Sequence, residues 1–224
     1  MSRTATLGLA VAAPPEPAPA RPELRSDLRL IAEMIDPRSR VLDIGCGDGA
    51  LLAHLAREKS VDARGIELSQ SGVNACVGHG LSVIQGDADS DLDAYPDSAF
   101  EYVVLSQTLP ATRHPRRVLE NLVRIGKRAI VSFPNFGFWR IRLGLMLHGR
   151  MPVSGLLNQE WYDTPNIHLC TIRDFVVLCH EIRIGIEHSL PLDRHGRPYS
   201  LDPRGSLANL LAEQSVFVLS REKN

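Results

Sequence analysis

Cysteine is scarce in this chain, neither sign of charge is in excess, and no apolar run is long. The four cysteines are Cys46, Cys76, Cys170 and Cys179, and they form no CxxC pair and no Cys/His spacing of a metal site. Free thiols in a reducing cytoplasm are therefore expected, with no bound metal. The formal net charge of 224 residues is −1, which argues against the general electrostatic grip used on nucleic acid. No run approaches the roughly 20 apolar residues that span a bilayer, so no membrane association is expected. No internal repeat is apparent. What is present is a hydrophobic fraction of 44%, enough for a sizeable core in a single domain. Residues 1–22 differ from the rest: Pro14, Pro15, Pro17, Pro19 and Pro22 alternate with alanines. Arg3 and the apolar stretch 7–13 have a faint signal-peptide look, but that stretch is short. The expected organisation is a disordered Pro/Ala tail over 1–22 and one domain over 23–224.

The chain is organised around Val41-Leu42-Asp43-Ile44-Gly45-Cys46-Gly47-Asp48-Gly49. A short apolar run carrying an acidic residue, alternating glycines and then the apolar-periodic stretch 50–56 read as strand, tight turn and helix. Glycines let a ligand approach the backbone, and the N–H groups at the helix start favour a polar or anionic group. A turn without ligand and a dinucleotide site are the competing readings. The dinucleotide fingerprint, however, is G-x-G-x-x-G, whereas the spacing here is G-x-G-x-G. With Asp43 ahead of it, the stretch resembles motif I of class I S-adenosylmethionine (SAM) methyltransferases. That resemblance implies that Asp43, Gly45, Cys46, Gly47 and Gly49 hold the methionine part of SAM or S-adenosylhomocysteine.

Strand and helix patterns alternate along the chain. Helices are predicted over 24–35 (ended by Asp36-Pro37), 50–58, 70–77, 116–124 (capped by Gly126), 171–180 and 205–213. Strands are predicted over 40–44, 62–68, 81–88, 100–107, 128–133, 183–188 and 215–221. Thr171 with Asp174 three residues on makes a capping signature. The alternation predicts a parallel sheet with right-handed crossovers. The class implied is α/β, a Rossmann-like class I methyltransferase fold: a seven-stranded, mostly parallel sheet with its last strand antiparallel and helices on both faces.

Candidate ligand residues fall at strand ends, where α/β sheets place their sites. Glu67 ends the second strand, 24 positions after Asp43, and a carboxylate there can accept from both hydroxyls of a ribose diol; Leu68 follows it. Asp87 ends the third strand; by resemblance it would bond the adenine amino group, with Ala88 beside the ring. Ser106 and Gln107 close the fourth strand. The acidic run Asp89, Asp91, Asp93 reads as a solvated loop that lacks the glycine and distal glutamate of an EF-hand. Stretch 136–150 reads as an amphipathic helix near the ligand mouth, either a capping helix with solvated arginines or a partner-docking surface. Stretch 160–168, rich in polar and aromatic groups, reads as a site-lining loop. Methyl transfer from a sulfonium needs mainly alignment. A general base matters only if the acceptor must lose a proton, and His168, Asp163, Tyr162 and His114 are the weak candidates.

From about residue 24 to 221 the chain also resembles the MetW family of methionine biosynthesis. The resemblance rests on the motif I stretch, on Ser132-Phe-Pro-Asn-Phe-Gly137, on Gly149-Arg-Met-Pro-Val153 and on Trp161-Tyr-Asp-Thr-Pro-Asn-Ile-His-Leu-Cys-Thr171. It implies an accessory or activating partner of homoserine O-acyltransferase, with SAM as a ligand that reports pathway output. A catalytic SAM-dependent methyltransferase acting on a small molecule is the alternative. The Trp161 loop serves as an acceptor pocket, a partner surface or edge packing in these readings.

Overall fold

The computed structural model describes residues 24–153, 156–157, 159–202 and 205–222. The expected tail over 1–22 lies outside them.

In chain order the elements are α1 (Ser26–Met34), β1 (Arg40–Ile44), α2 (Ala50–Lys59), β2 (Asp62–Glu67), α3 (Gln70–Gly78), β3 (Ser82–Gln85), β4 (Phe100–Ser106), α4 (Pro115–Ile125), β5 (Gly126–Pro134), α5 (Trp139–His148), α6 (Ile172–Glu181), β6 (Ile184–Leu192), α7 (Ser206–Leu211) and β7 (Gln214–Arg221). The strands form one sheet in the order β3-β2-β1-β4-β5-β7-β6. β7 runs antiparallel to both β5 and β6, and the pairings among β1 to β5 are parallel. This is the expected Rossmann-like arrangement.

The continuous apolar runs are explained by burial on both faces. Successive side chains of a strand point to opposite sides. Leu42 and Ile44 of β1, Val103 and Leu105 of β4, and Phe217 and Leu219 of β7 pack with α4 and α6. Val41, Tyr102, Val104, Val216 and Val218 point the other way, onto Ile31 and Ile35 near α1 and Leu51 and Leu55 of α2. On the first side Phe133, Phe175 and Phe217 form a buried aromatic cluster, with Phe175 and Phe217 4.6 Å apart between ring centroids.

Local signals are obeyed at several ends. Pro115 occupies the first turn of α4 behind His114, where a missing N–H costs nothing. Thr171 and Asp174 form the full capping box of α6. Four expectations are corrected or sharpened. β3 is four residues long and stops at Gln85, so Asp87 lies in the loop beyond it. Gly126 is the C-cap of α4, its N–H donating to the Leu122 carbonyl, but its backbone is extended rather than left-handed and begins β5. A Cβ there would lie 2.8 Å from the Arg128 carbonyl and from Val103 Cγ2, so close strand packing is what selects glycine. α5 is not amphipathic: Ile141 is its one buried residue, while Leu143, Met146 and Leu147 are exposed. The acidic run is a solvated loop, with Asp91 and Asp93 exposed, but its carboxylates are engaged. Asp89 accepts the N–H groups of Arg113 and His114, both at 2.8 Å. Asp91 accepts the Asp87 N–H at 2.8 Å, and Asp93 holds Arg117 and the Asn121 amide. These carboxylates staple the loop after β3 to the start of α4.

Candidate functional site

Ile44, Glu67, Gln85, Ser106 and Pro134 end five neighbouring strands along one edge of the sheet. The glycine turn begins there. The N–H groups of Gly45 and Cys46 both donate to the Ile66 carbonyl, at 2.8 and 3.2 Å, which pins the turn to β2. Gly45, Gly47 and Gly49 all have positive φ, but for different local reasons. A Cβ on Gly45 would sit 2.5 Å from Thr108 Oγ1, and one on Gly49 2.4 Å from Leu81 Cδ1 and 2.8 Å from Cys76 Sγ. Nothing lies within 4 Å of a Cβ on Gly47; that face of the turn is open. Gly49→Ala is therefore expected to cost about 2–4 kcal/mol, from backbone strain plus overpacking, and Gly47→Ala about 1–2 kcal/mol from strain alone. Urea unfolding of both variants checks the difference; equal losses would contradict this division of roles.

Glu67 has both carboxylate oxygens engaged. Oε2 accepts the Gly47 N–H at 2.8 Å and Oε1 the Ser69 N–H at 2.9 Å. It thus ties the glycine turn to the entrance of α3, where the Ser69 side chain caps Gly72 N at 3.1 Å. Gly72 is a site-shaping residue that spacing alone did not reveal. A Cβ on it would lie 2.7 Å from Glu67 Cγ and 2.8 Å from the Gly47 carbonyl. Leu68, beside Glu67, is an exposed apolar side chain. Cys46 points inward to Leu52 and Cys76, so it can offer a ligand only backbone. Burial pushes its thiol far up, which leaves it protonated and a poor nucleophile. Cys170 and Cys179 are likewise pushed up to about 12 by burial, and all four cysteines are unpaired.

Asp43 is buried, and burial raises its carboxyl to about 7, opposed by the Arg25 charge and reinforced by Glu67. The folded state therefore binds a proton that the unfolded chain releases near pH 4. Its contribution to stability is fullest at or below that pH. It is lost as pH rises toward about 7, and flattens beyond. Asp43→Asn should remove this slope, an effect on the order of a few kcal/mol in stability between pH 4 and 7. Unfolding midpoints across that range, wild type against variant, measure it; parallel curves would count against a buried, protonated Asp43.

The Arg25–Asp27 pair was also not foreseen. Arg25 bonds both oxygens of Asp27, at 3.0 and 2.9 Å, and the Ser106 hydroxyl at 3.0 Å. Ser132 Oγ donates to Ser106 Oγ at 3.1 Å. The signal was present: Asp27 lies four and eight residues before Ile31 and Ile35, on the apolar face of α1, and it is buried. A carboxylate on that face needs a partner. Gln107 sits in the left-handed region at φ 58°, a conformation that non-glycine residues reach at a cost and that concentrates at functional sites. Its side-chain amide donates to Gln214 at 3.1 Å.

Asp87 lies farther along the edge. Its Oδ1 accepts the Asp89 N–H at 2.9 Å and its Oδ2 is 3.6 Å from Arg113. Ala88 packs against the core beside it. The weak base candidates do not converge on one point. His168 is exposed, and its ring lies 3.3 Å from the Arg113 carbonyl. Asp163 is exposed as well. Tyr162 is exposed with its ring edge-on to Trp161. His114 is the N-cap residue of α4. Among the described residues no cluster of three or more His, Cys, Asp or Glu side chains is arranged to hold a metal, and no helix is long and apolar enough to cross a membrane.

Two carboxylates, an open glycine turn and a guanidinium on one edge suit a ligand that carries a cation, a carboxylate and a diol. The strand order and this edge place the chain in the class I SAM-methyltransferase fold, shared with solved structures of SAM-dependent methyltransferases. The family follows from the sequence: the model of the methionine biosynthesis protein MetW matches residues 25–219, and the chain belongs to that family. A relative is the bifunctional methionine biosynthesis protein MetXA/MetW of Rhodopirellula baltica, 32% identical over 210 residues, covering 89% of this chain and 33% of that protein. The chain spans about a third of the length of the curated relatives it matches. Among solved structures, a TehB-like SAM-dependent methyltransferase from Corynebacterium glutamicum aligns with TM-score 0.57 and 19% identity over 89% of each chain. The cyclase SpnF aligns with TM-score 0.60 and 20% identity over 88% of this chain and 81% of its own. These likenesses show the fold; a cyclase among them means that the fold alone does not dictate methyl transfer.

Proposed function

We propose that this chain binds SAM at the β1–β4 edge and serves as an accessory subunit that binds and tunes a homoserine O-acyltransferase. The observation that carries the partnership is the R. baltica relative, in which a region like this chain forms about a third of a protein named MetXA/MetW. Fusion of two activities in one polypeptide favours their association as separate chains. The surface supports it. Met146, Leu147, Trp161 and Tyr162 are all more than 60% exposed, and exposed apolar and aromatic side chains mark interaction sites.

For SAM, Asp43 and the open face at Gly47 receive the amino-acid end, with Arg25 and Ser106 near its carboxylate. Glu67 takes the ribose hydroxyls, Leu68 and Ala88 flank the base, and Asp87 accepts its amino group. A cationic ligand beside Asp43 favours the ionised carboxyl, so affinity for SAM should rise as pH increases toward about 7 and binding should release a proton. Calorimetry in buffers of different ionisation heat reads both. No heat of SAM binding by the purified protein would remove the ligand assignment. Co-expression with a homoserine O-acyltransferase tests the partnership: a stable complex and a changed transferase rate are expected, and the absence of both would overturn it.

The second reading, a SAM-dependent methyltransferase on a small acceptor, is favoured by the complete glycine cradle, which alignment chemistry alone could exploit. Transfer of labelled methyl from SAM to a metabolite pool would establish it.

A further inference from the structure

We propose that the cavity between the carboxyl ends of β4 and β5 and the segments 151–153, 156–157 and 159–169 is a second ligand site, and that its ligand is a neutral, mainly apolar small molecule. The cavity holds about 490 Å³, within the size range of small-molecule sites. It opens beside Gln107, the strained residue at the end of β4, so it adjoins the edge already described. Its walls are apolar, with Phe136, Met151, Leu157, Trp161 and Ile167 among them. Its polar side chains are uncharged: Gln107, Gln159, Thr164 and Asn166. Among the described residues no Asp, Glu, His, Lys or Arg lines it.

That absence is built into the local structure. The backbone N–H groups of Ile167 and His168 both donate to the Pro110 carbonyl at 2.9 Å, which anchors one wall to the turn after β4. Ile167 and Leu169 then line the cavity, while the intervening His168 places its ring at the Arg113 carbonyl. Glu160 and Tyr162, on either side of Trp161, line instead an adjoining groove along α5 that meets the cavity at Met151, Pro152 and Trp161. Charged neighbours are thus turned away from an apolar space that keeps a few amide and hydroxyl groups for orientation. An ionised ligand would exchange part of its water for apolar wall there and meet no counter-charge. A free amino acid, a phosphate ester or a carboxylate is disfavoured on that ground, and a neutral aromatic or aliphatic compound fits. This goes beyond the acyltransferase reading and does not require it.

The test uses two probes with one aromatic framework: neutral N-phenyl-1-naphthylamine and its sulfonate, 8-anilino-1-naphthalenesulfonate. In a Trp139→Phe background of the full chain, Trp161 is the remaining tryptophan and reports from the cavity wall. The neutral probe should quench Trp161 saturably at one site, and the sulfonate should bind roughly tenfold or more weakly. Leu169→Asp and Ile167→Asp, at half-exposed and exposed lining positions, should each weaken the neutral probe roughly tenfold, with Leu169→Met close to wild type. Thermal melts confirm that each variant is folded. Equal binding of the two probes, no saturation, or indifference to both aspartates would overturn the proposal. SAM calorimetry is run on the same samples. Probe binding without SAM binding would remove the SAM assignment and leave this site standing, and the reverse result would do the opposite.

Discussion

Replacing Asn135 by alanine is expected to lower the unfolding free energy by about 3–5 kcal/mol, a drop in melting temperature of roughly 10 °C. Asn135 is fully buried and uses its whole hydrogen-bonding capacity. Its Nδ2 donates to the carbonyls of Asn209 and Ala212, at 2.9 and 2.8 Å. Its Oδ1 accepts from Gly137 N at 2.9 Å and Ile172 N at 3.2 Å. One side chain therefore joins the end of β5, the approach to α5, the first turn of α6 and the end of α7. Alanine would orphan four buried backbone groups at once. Asn135→Asp should be at least as damaging, because it removes both donors and sets a buried carboxylate against the carbonyls of Asn209 and Ala212. Urea unfolding measures both variants; a loss below about 1 kcal/mol would show that water or a shifted backbone substitutes for the amide. The Ser132–Gly137 segment, which helped to suggest the family, is thereby explained as architecture.

The second large effect concerns the ligand. Glu67→Gln is expected to weaken SAM binding by roughly 10- to 100-fold, the value of one or two charge-assisted hydrogen bonds. The substitution is not conservative here. Both oxygens of Glu67 face backbone N–H groups, those of Gly47 and Ser69. Glutamine has one acceptor, so its NH2 must confront one of those donors. The turn or the entrance of α3 then moves, and the diol loses an anionic partner. Calorimetric titration with SAM, beside a circular dichroism spectrum to show a native fold, reads the effect. Affinity within twofold of wild type would take Glu67 out of the site.

How much of this was readable beforehand can be judged residue by residue. Asp43 and Glu67 were legible because strand and turn signals are local: the apolar run, the glycines and the carboxylate lie within a few residues of each other. Asp87 was legible as a site candidate, but its support was not. The loop around it is held by Asp89, Asp91 and Asp93, whose partners lie up to 28 residues away, and an acidic run alone looks solvated. Arg25 and Asp27 were missed although Asp27 broke the apolar face of its helix. Their partner Ser106 is about 80 positions distant, and only the sheet order brings α1 over β4. Gly126 was legible as the cap of α4, but not why glycine is needed there; Val103, on the neighbouring strand, is what demands it. α5 was expected to be amphipathic from its mixture of arginines and leucines, yet it buries little beyond Ile141, since propensity makes a helix without specifying what it packs on.

The sequence by itself determined the order and type of the elements, the fold class, the family and the carboxylates at the first two strand ends. The elements and the carboxylates follow from short-range periodicity and turn chemistry, and the fold class and the family from the resemblance of short motifs to known families. The tertiary structure decided which side chains meet. It turned Glu67 into a clamp on the glycine turn, made Asn135 a four-way joint and set Arg25 beside Ser106. It drew the His168 ring to the Arg113 carbonyl and left an uncharged cavity next to Gln107. Such meetings depend on strand order and on the direction in which each side chain leaves the backbone, neither of which is carried by any stretch of neighbouring residues.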